Sequence, residues 1–340
     1  MAAETSKYNL IQMLVIRSRI PLLWVVIIVT VVMCLLLVLA RYLDNGLADL
    51  LTWGFWQNHL TGLMLLAYIL SVQFFIWRLR NQAIQALKPL IALDESEAER
   101  LTTEAATSNR RWELIAILIG IGLTIVLGQP WTLGWGPGEF WLSVYQVIIN
   151  VLMNGLLFWL IYETLAGVVH IARLSRQELK LDIFESELMT PIAKWSLGIS
   201  LVFVGGTSLS LIFQTQEDLL RWQTITMYVI LIIVVILIFF LSMWSVHVAM
   251  ARAKKRKLDL VRKNIVEVSR ELEEKMSQGL LKGTDELSVN ITSLATYQRM
   301  IQDIPAWPFS ADTIRRLAAS MLAPVAVFLV KVISRLGITT

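Results

Sequence analysis

Cysteine is almost missing from this chain. One residue in 340, Cys34, carries a thiol, and it sits inside an apolar run. That excludes an intrachain disulfide framework and any cysteine-based metal site. Charge is scarce as well: 16% of residues are Asp, Glu, Lys or Arg, where soluble domains carry about 25%. Phosphate-cradling loops are absent, since neither GxGxxG after a strand nor a GxxxxGK stretch occurs. Three histidines with few carboxylates nearby make no recognisable ligand set. Nothing resembles paired acids, a metal triad or an activated nucleophile at usable spacing. No enzymatic activity, metal or cofactor is expected.

Apolar side chains are what the sequence has in abundance, at 56% of the whole. They fall in runs at Ile20–Ala40, Leu60–Trp77, Leu114–Leu127, Trp141–Tyr162, Leu197–Phe213 and Thr224–Val248. The first contains Val38-Leu39-Ala40, which resembles a signal-peptide cleavage site. Its 21 uncharged residues nevertheless suit a retained span, because at ~1.5 Å per residue they cross the ~30 Å hydrocarbon core. Lipid offers the backbone no hydrogen-bond partner, so each run is expected to be helical. The fold class read here is all-α: a polytopic transmembrane bundle of six helices with a seventh membrane segment and a cytoplasmic helical hairpin.

The distribution of Lys and Arg sets the expected orientation. Of the 30 such residues, 26 fall on one side of the six runs, two on the other, and Lys331 and Arg335 complete the set. The positive-inside rule then puts the N-terminus in the cytoplasm. The same rule explains the pI near 9.2 without nucleic acid, for which no reading module is present. Trp53, Trp56, Trp131, Trp135, Trp141 and Trp222 fall at outer boundaries, and Trp77, Trp112 and Trp195 at inner ones. Indoles anchor helices at such boundaries.

Four regions follow. Residues 1–19 read as an interfacial helix, and 20–250 as a six-helix bundle of three hairpins. Residues 251–304 read as a cytoplasmic basic helix and helical hairpin, and 305–340 as a C-terminal membrane helix. Within the third, Leu258, Val261, Ile265, Val268 and Leu272 follow the three-four spacing of a coiled-coil seam. Gly283-Thr284-Asp285 is a turn signal, after which an antiparallel return is expected. Pro305 and Pro308 end that return. Leu317–Ser334, interrupted by Ser320, Pro324 and Lys331, is long enough to cross or to lie at the interface. His170 with Lys180-Leu181-Asp182, and His247 with Lys257-Leu258-Asp259, repeat at an interval of 77 residues, a hint of a duplicated hairpin.

Two stretches carry a resemblance. Leu181-Asp182-Ile183-Phe184 with Pro191-Ile192-Ala193-Lys194, and Trp307-Pro308-Phe309-Ser310 with Arg315-Arg316-Leu317, resemble an uncharacterised family of bacterial multi-pass membrane proteins. Ser310 stands where that pattern has Asp. The resemblance implies a bacterial cytoplasmic (inner) membrane and supports the C-terminal membrane segment. It implies no activity and no site residues.

The polar residues inside the apolar runs are the candidate site. Gln146, Asn150 and Asn154 are four apart, hence on one helix face, and Ser143 extends the stripe. Amides in hydrocarbon need partners, so this face meets either another helix or a hydrated path. Glu163, further along the same helix, is a buried carboxylate on such a path or an interfacial one. Gly120, Thr124 and Gly128, with Gly206 and Ser210, read as close helix packing. His59 stands alone at the start of the second run. Arg252, Lys254, Lys255, Arg256 and Lys257 form the densest cationic cluster: a stop-transfer signal that also suits anionic lipid.

The expected partners are the lipid bilayer, anionic lipid, and a second copy of the chain or a cytoplasmic protein. The function read here is channel- or transporter-like, with a membrane-anchored sensor or scaffold built on the hairpin as the alternative.

Overall fold

The computed structural model describes residues 21–90, 109–174, 190–213, 221–278 and 283–304, with single positions at 100, 315 and 330. The expected helix at 1–19 and nearly all of the 305–340 segment lie outside the described residues. So do Leu181–Phe184 and Trp307–Ser310 of the resemblance. Among the described residues there is no strand. The α-helices are α1 (Leu22–Leu43), α2 (Trp53–Leu87), α3 (Arg110–Gly128), α4 (Phe140–Leu174), α5 (Thr190–Phe213), α6 (Trp222–Ser277) and α7 (Thr284–Asp303).

Five stretches are long and apolar enough to cross a membrane: Leu23–Leu43, Trp53–Leu87, Arg110–Thr132, Phe140–Leu174 and Lys194–Ile212. The apolar opening of α6 is shorter, at Trp222–Ile238. Outward faces match that composition. Leu23, Ile27, Val31 and Leu35 of α1 are exposed, as are Val229, Ile233, Leu237 and Phe240 of α6. Such stripes suit hydrocarbon rather than water.

α2 and α4 sit at the centre. α2 packs on α1, α4 and α5, while α4 packs on α1, α2, α3 and α6, and α5 also meets α6. Two apolar cores result. Met33, Leu37, Phe55, Leu66, Tyr145 and Ile149 join α1, α2 and α4. Ile76, Leu87, Leu160, Ile171, Ile199 and Ile238 join α2, α4, α5 and α6.

Small residues bring the backbones together where the sequence predicts. A Cβ on Gly120 would overlap the backbone carbonyl of Asn154, so α3 and α4 touch at that point. Gly206 faces Tyr68, whose Cε1 lies 3.1 Å from where a Cβ would be. The Tyr68 hydroxyl donates to the Val202 carbonyl at 2.7 Å, pinning α2 to α5.

Local chemistry sets several helix ends. The Asn109 side chain accepts from the Arg111 amide and caps α3. Asn45, with φ of 57°, takes the left-handed turn that stops α1. Just before it, buried Asp44 accepts from the backbone amides of Trp141 at 3.1 Å and Leu142 at 2.8 Å. A carboxylate thus meets the orphan N–H groups at the start of α4, where the helix dipole favours negative charge. Arg41 pairs with Asp49 and donates to the Gly138 carbonyl at 3.1 Å. The α1–α2 and α3–α4 connections are therefore fastened to one another; this is the turn end of the bundle. The opposite, basic end carries Arg80 and Arg173.

α6 continues past the bundle without a break, and α7 packs back along it. Ala253, Val261 and Ile301 form a small core with Leu258, Ile265 and Ile304. Lys254 donates to the carbonyls of Gln302 at 2.6 Å and Ile304 at 2.7 Å, closing the end of α7.

Candidate functional site

Among the described residues, polar side chains line two spaces along α4. The first is a cavity of about 260 Å³ walled by α2 to α6. α3 contributes Thr124 and Gly128, α4 Asn150 and Asn154, α5 Gly206, Thr207 and Ser210, and α6 Gln223, Thr224 and Tyr228. Asn154 is buried and Asn150 exposed, so the amides run from the cavity's interior to its mouth. The Asn150 backbone carbonyl receives a long contact, 3.5 Å, from the Thr124 hydroxyl. No described residue hydrogen-bonds the side-chain amide of either asparagine.

The hydroxyls behave differently. Thr124 donates to Gly120 at 2.9 Å and Thr207 to Phe203 at 2.8 Å, both onto the preceding turn of their own helix. Ser210 and Tyr228 are 2.7 Å apart and join α5 to α6. The hydrogens of Thr124 and Thr207 are committed and these two offer the cavity lone pairs, whereas the Ser210–Tyr228 contact takes one hydrogen of the pair.

The second place lies toward the basic end, where Gln73, Arg80, Leu160, Glu163, Thr164 and Trp195 surround a recess of about 20 Å³. That is room for roughly one water. Arg80 of α2 is buried and pairs with buried Glu163 of α4, Nη1 to Oε2 at 3.4 Å. Its Nη2 donates to Nδ1 of His170 at 3.2 Å, which requires the neutral imidazole with its proton on Nε2. Gln73 Oε1 and Trp195 Nε1 are buried without a hydrogen bond to any described residue. Leu160 lines both the cavity and the recess. Leu160 is thus a wall common to the amide-lined space and the charged one.

The expected polar stripe divides. Asn150 and Asn154 share the cavity. Gln146 instead donates to Nε2 of His59 at 3.4 Å, while the His59 Nδ1–H donates to the Phe55 carbonyl at 2.7 Å. Glu163 belongs to the recess, buried beside Arg80. Ser143 turns away to donate to the Gly134 carbonyl at 2.8 Å. His59 is thus not alone but fixes α2 to α4.

Trp195 is a correction. Expected as a boundary anchor, it is 1% exposed. Its Cζ2 would stand 3.2 Å from a Cβ on Gly167, so the glycine of α4 opens room for an indole of α5. Of the other boundary tryptophans, Trp53, Trp77, Trp112, Trp131, Trp135, Trp141 and Trp222 are exposed, and Trp56 is half-buried. Within the cationic cluster, Lys254 is taken by the end of α7, while Arg252, Lys255 and Arg256 remain exposed.

Arg80 and Glu113 escape the sequence reading. An arginine just past an apolar run looks like a topological charge, and so does a glutamate just before one. The missed signal is a heptad: Leu66, Ile69, Gln73, Ile76, Arg80, Ala83 and Leu87 alternate three and four apart, and all are buried. That spacing puts Gln73 and Arg80 on the packed face of α2. Glu113, 2% exposed, takes a long contact of 3.4 Å from the indole N–H of Trp159. No metal-competent group of His, Cys, Asp and Glu occurs among the described residues. No protein-family model, curated protein or solved structure matches this chain.

Proposed function

We propose that this is a multi-pass membrane protein with transporter-like action, holding a hydrated solute site in the bilayer between α2 and α6. The reading rests on the two asparagine amides that face a cavity without a partner among the described residues. Polar groups in hydrocarbon are costly unless satisfied, and a wall of unsatisfied amides is stable only against water or a solute. Leu160 and the Arg80–Glu163 pair then act as the closed inner side of the route. An apolar constriction backed by an ion pair resists leakage until helices shift.

The lopsided Lys and Arg distribution supports an orientation with the N-terminus, the basic end and the α6–α7 pair in the cytoplasm. Six spans, with a seventh in Leu317–Ser334, complete this topology. The resemblance to bacterial multi-pass proteins supports the inner membrane as its site, and exposed Arg252, Lys255 and Arg256 suit anionic headgroups there. The test is solute flux in proteoliposomes, read by stopped-flow swelling. Asn150→Leu combined with Asn154→Leu should abolish flux in protein that still elutes as a single folded species; unchanged flux removes the reading.

A second reading has its own observation. α6 is 56 residues long and joins the bundle to its packed partner α7, as a sensor or scaffold requires. On that reading, deleting 258–304 strips away a co-purifying protein partner, and an unaltered partner set counts against it.

A further inference from the structure

We infer that the cavity takes a small uncharged solute, one that carries both a hydrogen-bond donor and an acceptor on a compact apolar body, and that it rejects ions. This rests on the transport reading of the same cavity and names its substrate class.

The lining decides the charge. None of the described residues around the cavity is ionised at neutral pH. An ion brought from water into a membrane interior needs a countercharge or a full ligand shell. Arg80 and Glu163, in the recess that shares Leu160 with the cavity, pair with each other and do not line the cavity. A neutral solute meets no such barrier.

The polar groups decide the hydrogen bonding. Each asparagine amide presents two N–H donors and a carbonyl, and in Asn150 and Asn154 none of these is taken by a described residue. Thr124 and Thr207 have committed their hydrogens to their own helices, so they can only accept. Donors and acceptors therefore both stand free on the wall, and a solute with only one kind leaves the other unmet. An acyl chain from the bilayer leaves both unmet, which argues against lipid as the occupant.

Size and shape follow from the rest of the wall. Most of the exposed lining is apolar, from side chains such as Leu123, Leu127, Met153, Leu157, Phe203 and Met227. A volume of about 260 Å³ sits at the small end of ligand pockets, which run from roughly 300 to 1,000 Å³.

The experiment uses the full chain with Cys34→Ser and Thr224→Cys, reconstituted in phosphatidylethanolamine–phosphatidylglycerol vesicles. The cavity cysteine is labelled with methyl methanethiosulfonate. Acetamide and urea are compared with acetate and guanidinium, their charged counterparts of similar shape. Acetamide and urea should slow labelling several-fold, and acetate and guanidinium should leave it unchanged. Asn154→Asp should transfer protection to guanidinium; if that variant fails to fold, the comparison in the parent protein still decides.

Equal protection by the charged members, or none by the neutral ones, overturns the inference. So does labelling that is slow without solute and accelerates when acyl-chain lipid is replaced by a short detergent, which identifies a lipid chain as occupant. Flux in the same vesicles is read separately. Protection without flux leaves the binding class standing and removes transport, whereas flux without protection does the reverse.

Discussion

Arg80 and Glu163 occupy a place where either one alone would be expensive. Removing one partner of a buried ion pair leaves an uncompensated charge and costs about 3–5 kcal/mol, while replacing both with apolar side chains is often nearly neutral. Glu163→Gln and Arg80→Met should each lower the detergent unfolding midpoint sharply. The double variant Arg80→Met/Glu163→Leu should recover most of the loss, and simple additivity of the two effects would contradict a direct pair. A second contrast lies on α3. Gly120→Leu forces a side chain against the Asn154 carbonyl, so α3 must leave α4 and the protein should lose its monodisperse elution. Gly122 has nothing within 4 Å of a new Cβ, and Gly122→Ala should be neutral or stabilise by up to about 1 kcal/mol through helix propensity. At this scale the sequence was readable where a residue departs from its run. Asn150 and Asn154 stand out as amides among apolar neighbours, but Arg80 hides because hydropathy expects cations at helix ends. Partner choice was not readable at all. Nothing in the spacing of Gln146 says it will meet His59 rather than join the asparagines.

Helices are read well by apolarity and badly by extent. The run Leu60–Trp77 lies inside a helix that spans Trp53–Leu87, and Trp141–Tyr162 lies inside Phe140–Leu174. A helix continues as long as its backbone bonds do, whereas a hydropathy run stops at the first charge. Both extensions bury charged or polar residues, which is why Arg80, Glu163 and His170 fall beyond the runs. Asp44 makes a second element-scale claim. It serves two amides at the start of α4, and hydrogen bonds to charged groups contribute about 1.5–3 kcal/mol. Asp44→Ala should therefore speed amide exchange in the first turn of α4 while leaving α6 unaffected. Lys254→Met should do the same for the last turn of α7, because two of its carbonyls lose their donor.

The whole molecule sorts its charges by end, and the topology inferred from that sorting is directly measurable. In a Cys34→Ser background, Gly136→Cys at the turn end should react with a membrane-impermeant maleimide in intact cells. Asn264→Cys on the distal part of α6 should react only after the membrane is opened. The reverse pattern would invert the proposed orientation. Global arrangement was the least legible level in the sequence. Runs and charges predict how many times the chain crosses, but that α2 and α4 form the centre depends on Gly120, Gly167 and Gly206 admitting neighbours that the sequence does not name.

Gln223, Thr224 and Tyr228 stand on the first two turns of α6, against the cavity, and Lys254 and Ile265 stand on the same rod beyond the bundle. From residue 250 to its end at Ser277 the helix projects ~40 Å at ~1.5 Å per residue. As an undivided lever pivoting at the bundle's edge, it turns a ~10° change of tilt within the bilayer into ~7 Å of travel at the tip. On the transport reading, a tilt of α6 that follows the filling of so small a space would reach whatever stands beside α7 at that amplified scale.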